Sequence, residues 1–135
     1  MSSEAQPRAL VVDDSRVARA MIARALSGIY DITQAGSAEE GLAVLTSSEP
    51  FVLLVVDWNM PGVSGVEFVR QLRSSAAFED LKILMVTTEV EAAAMSAAMD
   101  AGVDEYLMKP FVRESVLEKL DILGLPCAGN ETQIR

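Results

Sequence analysis

The sequence predicts an α/β fold, a five-stranded parallel sheet with helices on both faces, and three observations carry that prediction. Short apolar runs alternate five times with segments of helical periodicity, and right-handed crossovers leave such an alternation little alternative to a parallel sheet. The run FVLLVV at 51–56 is apolar without alternation, as a strand buried on both faces must be. Half of the 135 residues are apolar but only 5% are aromatic, and the prevalence of Ala, Val, Leu and Met suits helices laid on a sheet. The length fits one domain, which would bury roughly two-thirds of its unfolded surface.

Each element has its own signature. Ala9–Asp13 (ALVVD) reads as the first strand. Val17, Ala18, Met21, Ile22, Ala25 and Leu26 recur at helical spacing across 15–27, and Gly28 stands where that helix stops. Tyr30–Gln34 is a short second strand, and Ser37 with Glu40 forms a capping box that opens a helix ending near Pro50. The third strand is Val52–Asp57, and its helix covers 64–74 with Val66, Phe68, Val69 and Leu72 for the core. Leu81–Thr87 is the fourth strand, and the Ala- and Met-rich Glu91–Ala101 is a helix stopped by Gly102. Glu105–Met108 is the fifth strand, and Val112–Leu123 is the last helix, with Val116, Leu117 and Leu120 inward. Residues after Gly124 lack periodicity, so 1–7 and 124–135 are expected as flexible tails around a domain at 8–123.

Composition removes several function classes. Twenty acidic against 11 basic side chains give a net charge of −9, which opposes contact with nucleic acid or an anionic membrane. No apolar run reaches the ~18 residues of a transmembrane helix, and MSSEAQPR has neither the charge nor the apolar character of a signal peptide, so a cytoplasmic protein is expected. Cys127 has no partner for an intramolecular disulfide and reads as an incidental thiol in a polar tail. Histidine is absent, so any phosphoryl chemistry on this chain must run on a carboxylate or a hydroxyl.

Ligands in open α/β sheets bind beyond the carboxyl ends of the strands, near the point where strand order reverses. Here those ends carry Asp13-Asp14, Asp57, Thr87-Thr88 and Lys109-Pro110, which a parallel sheet gathers on one edge. Two like charges about 4 Å apart repel by roughly 4 kcal/mol at an effective dielectric of 20, and a divalent cation would relieve that repulsion. Hard oxygen donors without His or paired Cys favour Mg²⁺, with Mn²⁺ or Ca²⁺ as alternatives. Such a cation, with Lys109, would stabilise a phosphoryl group transferring to Asp57. Each residue also has a plain alternative: Asp13 and Asp14 serving the first turn of the next helix, Asp57 in a turn, Thr87 or Thr88 as a cap, Lys109 solvated and Tyr106 a half-buried strand aromatic.

Taken together, VVDDS at 11–15, VVDWNMPGVSG at 55–65, MVTTE at 85–89 and AGVDEYLMKPF at 101–111 resemble the receiver domains of two-component response regulators, most closely the stand-alone chemotaxis type. The resemblance covers about 8–123 and implies a flavodoxin-like (CheY-like) fold with strand order 2-1-3-4-5. It implies that Asp57 is the phospho-acceptor, served by the phosphohistidine of a histidine kinase. Asp14 and Asp57 would then bind Mg²⁺ directly, Asn59 through its main-chain carbonyl and Asp13 through water. By the same resemblance Lys109 contacts the phosphate, Thr87 moves toward it and Tyr106 turns inward in response, while the Lys109–Pro110 peptide is cis. Asn59 and Glu89 agree with the chemotaxis type and are implied to modulate dephosphorylation, which needs no dedicated enzyme activity beyond the domain's own autodephosphorylation. Two positions depart from the pattern: Ser15-Arg16 follows the acidic pair, and the bulkier Thr88 would restrict entry of donors or a phosphatase.

The residues after the last helix are too few for an output domain, so output is expected by protein binding. The resemblance places the target, a flagellar motor switch or another protein, on the face of the fourth helix, fifth strand and fifth helix. There Ala92, Met95 and Met99 are candidates for exposure, although the methionines would equally serve the core. A receiver that only drains phosphoryl groups from a shared kinase is the alternative. An electron carrier of the flavodoxin type would suffer repulsion between Asp13-Asp14 and the flavin phosphate. A haloacid dehalogenase phosphatase would need a carboxylate where Asn59 stands.

Overall fold

A computed structural model describes residues 6–47, 49–88 and 91–127. Strands β1 (Arg8–Val12), β2 (Asp31–Ala35), β3 (Leu53–Asp57), β4 (Lys82–Thr87) and β5 (Glu105–Met108) alternate with helices α1 (Arg16–Leu26), α2 (Ala38–Ser47), α3 (Gly65–Arg73), α4 (Ala92–Ala101) and α5 (Arg113–Ile122). All four strand pairings are parallel, and the order across the sheet is β2-β1-β3-β4-β5. This is the flavodoxin-like order that the resemblance implied. A single 3-10 turn at Ala76–Phe78, absent from the sequence reading, links α3 to β4.

Two apolar cores, one on each face, explain why the central strands lack alternation. Along β3, Leu54 and Val56 join Phe68, Val69 and Leu72 of α3 and Ala98 and Ala101 of α4. Leu53 and Val55 point the other way, onto Ile22, Ala25 and Leu26 of α1 and Val116 and Leu120 of α5. Every β3 residue is therefore buried. Each large side chain removed from water contributes roughly 1.5–3 kcal/mol, and Phe68, fully buried, is among the largest. Helix α2 lies so close to the sheet that a Cβ on Gly41 would come within 2.9 Å of Val12 Cγ2.

The expected start of the C-terminal tail requires correction. Gly124, at φ 76°, ends α5 in a left-handed turn: its amide bonds the Asp121 carbonyl, and the Leu125 amide bonds that of Leu120. The turn folds Leu125 and Cys127 into the α1–α5 core, and the Tyr30 hydroxyl donates to the Pro126 carbonyl at 2.6 Å. Cys127 is thus a buried thiol, not part of a solvated tail. Smaller shifts occur at element ends: β1 stops at Val12, which leaves both acids in the loop, and β2 begins after Tyr30. No helix among the described residues is long and apolar enough to cross a membrane.

Candidate functional site

The edge formed by the carboxyl ends of β1, β3, β4 and β5 gathers the candidate residues. Asp13, one residue past β1, is buried and held on several sides: its amide bonds the Ala35 carbonyl, its Oδ1 accepts from the Ser15 amide at 2.9 Å, and Arg19 donates to its carbonyl at 2.6 Å. The cap of α1 is Ser15, whose hydroxyl accepts from the Ala18 amide, so the acidic pair is not needed as that cap. Asp14 beside it is exposed. Arg19 had no part in the sequence reading, because its contact is with a backbone carbonyl that no residue pattern signals.

Asp57 ends β3 with 8% of its surface exposed, which fits a carboxylate at the mouth of a core strand. The loop behind it returns so closely that a Cβ on Gly65 would collide with the Asp57 carbonyl oxygen. The Gly65 amide donates to the Trp58 carbonyl at 2.9 Å, and α3 then starts with a capping box between Ser64 and Glu67. Gly65 therefore lets the loop close on the end of β3 at Asp57, a role hidden in the sequence because glycine there also reads as an ordinary loop residue. Asn59 is exposed, and Trp58 packs partly buried against the α3 core.

Lys109 Nζ lies 3.3 Å from Asp13 Oδ2 and 3.3 Å from Asp57 Oδ1, so it is not a solvated lysine. Its amide extends the β4–β5 pairing by donating to the Thr87 carbonyl at 2.8 Å, and the following bond to Pro110 is cis. Thr87 is buried at the end of β4 and Tyr106 is buried within β5, whereas Thr88 is exposed. Neither threonine caps α4, since Glu91 holds that position without a side-chain bond. Glu89 lies outside the described residues. Met95 and Met99 are 37% and 48% exposed, which answers the question of whether they serve the core. An apolar groove of about 780 Å³, lined by Phe51, Phe78 and Leu81 among others, contains none of the candidate residues.

One oxygen from each of Asp13, Asp14 and Asp57 lies within 4.8 Å of the others. Oxygens bound at about 2.1 Å to one octahedral Mg²⁺ are about 3.0 Å apart in neighbouring positions and about 4.2 Å across the ion, so the three carboxylates are close enough to serve one ion directly or through a bound water. Burial pushes the Asp57 carboxyl above its ordinary range and the Asp13 charge adds to this, while Lys109 opposes both. Three carboxylates against one ammonium leave an excess of negative charge that a divalent cation fits.

A family model described as "Response regulator receiver domain" matches residues 9–121. The chain belongs to the response regulator receiver domain family. Among curated receiver proteins it is 42% identical over 118 residues to a chemotaxis protein CheY homolog of Campylobacter jejuni, covering 85% of this chain and 91% of that one. It is 37% identical over 116 residues to chemotaxis protein CheY1 of Helicobacter pylori, covering 84% and 94%. The structure of Vibrio cholerae CheY4 superposes with a TM-score of 0.81 at 32% identity, over 87% of this chain and 98% of that one. The chain is a CheY-like receiver domain, a signalling module of two-component systems. Receiver domains bind Mg²⁺ at an acidic pocket, and the acidic cluster described above stands at the corresponding strand ends. The electron-carrier and phosphatase readings have no support in this kinship.

Proposed function

We propose that this receiver accepts a phosphoryl group on Asp57 from the phosphohistidine of a histidine kinase, and that it signals by phosphorylation-dependent protein binding. The observation that carries the proposal is the placement of Asp57: a nearly buried carboxylate at a strand end, 3.3 Å from Lys109, with two further carboxylates close enough to share a cation. In the reaction an ionised Asp57 oxygen forms a bond to phosphorus as the donor's P–N bond breaks, and the imidazole leaves with its electron pair. Mg²⁺, held by Asp14, Asp57 and the Asn59 carbonyl, with Asp13 acting through water, would neutralise charge on the phosphoryl oxygens. Lys109 binds one of those oxygens, and Thr87 follows with its hydroxyl. Tyr106 then reports the movement to the α4–β5–α5 face.

Kinship with proteins named for chemotaxis supports a chemotaxis pathway, with a motor-switch protein or another target on that face and a phosphatase as a further partner. The exposed Met95 and Met99 favour target binding over a role as phosphate sink, because a sink needs no docking surface. The site's chemistry is tested by incubating the protein with a small acyl-phosphate donor, with and without Mg²⁺. Mg²⁺-dependent labelling that disappears in Asp57→Asn is expected. Labelling that persists in Asp57→Asn would refute the assignment.

A further inference from the structure

Asp14 is exposed, and among the described residues no hydrogen bond or ion pair holds its carboxylate, so its placement depends on the backbone on either side. Both neighbouring carbonyls are bound by one residue, Arg19. Its amide donates to the Ser15 carbonyl at 3.0 Å in the first turn of α1, and its Nη1 reaches back past the cap to the Asp13 carbonyl at 2.6 Å. The guanidinium is itself held from the other side. Its Nε donates at 3.3 Å to Gln34 Oε1 near the end of β2, and its Nη1 lies so close to the β2–α2 loop that a Cβ on Gly36 would come within 3.3 Å of it. That loop is fixed in turn, since the Gly36 amide donates to the Glu40 carboxylate of α2. Arg19 thus ties the acidic loop to β2, and none of its bonds reaches a carboxylate of the cluster.

We infer that Arg19 is a positioning residue for the divalent cation: by holding the Asp13 carbonyl it keeps Asp14 within reach of an ion shared with Asp57. The inference rests on the reading that the three carboxylates take Mg²⁺, and it adds a residue outside the donor set on which that affinity depends. Groups that orient metal ligands from outside the coordination sphere typically govern affinity by about 10–100-fold. Charge alone would act in the opposite sense, because a cation beside an acidic site repels a second cation and its removal would tighten Mg²⁺ binding. The sign of the effect therefore separates the two roles. Arg19 is partly exposed, so water and salt screen its charge, whereas the short charge-assisted bond to the Asp13 carbonyl acts through geometry and is not screened away. Positioning is the larger effect.

The test compares the full chain with Arg19→Met, which keeps helix propensity and an apolar stem but loses both guanidinium bonds, and with Arg19→Lys, which keeps the charge but not the fork. Mg²⁺ titrations followed by NMR amide shifts should give a dissociation constant about tenfold weaker in Arg19→Met and at least about threefold weaker in Arg19→Lys. Labelling by a small acyl-phosphate donor should need correspondingly more Mg²⁺ for half its maximal rate, with the maximum within about twofold of wild type. Without Mg²⁺, the Asp13 amide, which bonds the Ala35 carbonyl, should exchange with solvent at least about fivefold faster in Arg19→Met, while amides of β3 stay unchanged and show the fold intact. Unchanged or tighter Mg²⁺ binding in Arg19→Met, wild-type affinity in Arg19→Lys, or a lower maximal rate at an unchanged Mg²⁺ requirement would overturn the inference. A wild-type chain that takes up no Mg²⁺ would sink the cation reading and this inference with it, whereas tight wild-type binding that Arg19→Met leaves untouched counts against the role of Arg19 alone.

Discussion

Burial and the adjacent Asp13 charge raise the Asp57 carboxyl above the ordinary carboxylate range, and Lys109 only partly restores the balance. Protonation is thus easier in the folded chain than in the unfolded one. Asp57 therefore stabilises the fold below the ordinary carboxylate pKa, and that contribution is lost as pH rises through the raised folded value. At neutral pH, without divalent cation, Asp57→Asn should raise stability by on the order of 1 kcal/mol in a urea titration, because it removes a crowded like charge. A loss of stability would contradict this electrostatic picture. The same shift predicts that, without divalent cation, the Asp57 carboxyl titrates above the range of an ordinary carboxylate, which an NMR titration of its side-chain carbon measures. Gly65→Ala should cost about 1–3 kcal/mol and slow labelling, since its Cβ meets the Asp57 carbonyl. Wild-type stability in that variant would mean that the loop yields freely. Asp57, Lys109 and the acidic pair were legible in the sequence because chemistry at successive strand ends is a linear signal. Arg19 and Gly65 were not, because their roles are contacts with backbone carbonyls that no residue pattern announces.

Among the elements, the strands and helices were readable to within a few residues because apolar periodicity is local, and the main correction came at the end of α5. There the pattern Leu120–Gly124–Leu125 encodes a left-handed helix stop with an apolar contact across it, which a search for helical periodicity passes over. Leu125→Ala should destabilise the domain by about 2–4 kcal/mol, and Tyr30→Phe by about 1 kcal/mol through loss of the bond to the Pro126 carbonyl. Denaturation midpoints unchanged in both variants would restore the view of 125–127 as a tail. At the same end of the sheet, Arg73 joins α3 to the Gly102 and Phe78 carbonyls and to Asp104, whose carboxylate also accepts from the Ile83 amide. This cluster fixes the C-terminal end of α4, while the helix N-terminus lacks a capping bond. Helix α4 is thus anchored at the end away from Thr87 and more loosely held at the end nearest it. Hydrogen exchange in the first turn of α4 should accordingly be faster than in its last turn. Uniform protection along the helix would contradict this account.

For the whole molecule, the parallel sheet accounts for both stability and site placement. It buries two apolar cores and leaves its carboxyl edge to bring Asp13, Asp14, Asp57, Thr87 and Lys109 together from four strand ends. Strand order was not readable from periodicity, because the apolar pattern is the same whichever neighbour a buried strand has; it came only with family resemblance. The central claim is that this edge makes Asp57 a Mg²⁺-dependent phosphoryl acceptor. Its most direct test is intact-mass analysis after exposure to an acyl-phosphate donor in Mg²⁺, followed by mapping of the modified residue. One phosphoryl group on Asp57, absent in the presence of a chelator and in Asp57→Asn, is the predicted result; a phosphoryl group on another residue, or on Asp57 regardless of divalent cation, would contradict it.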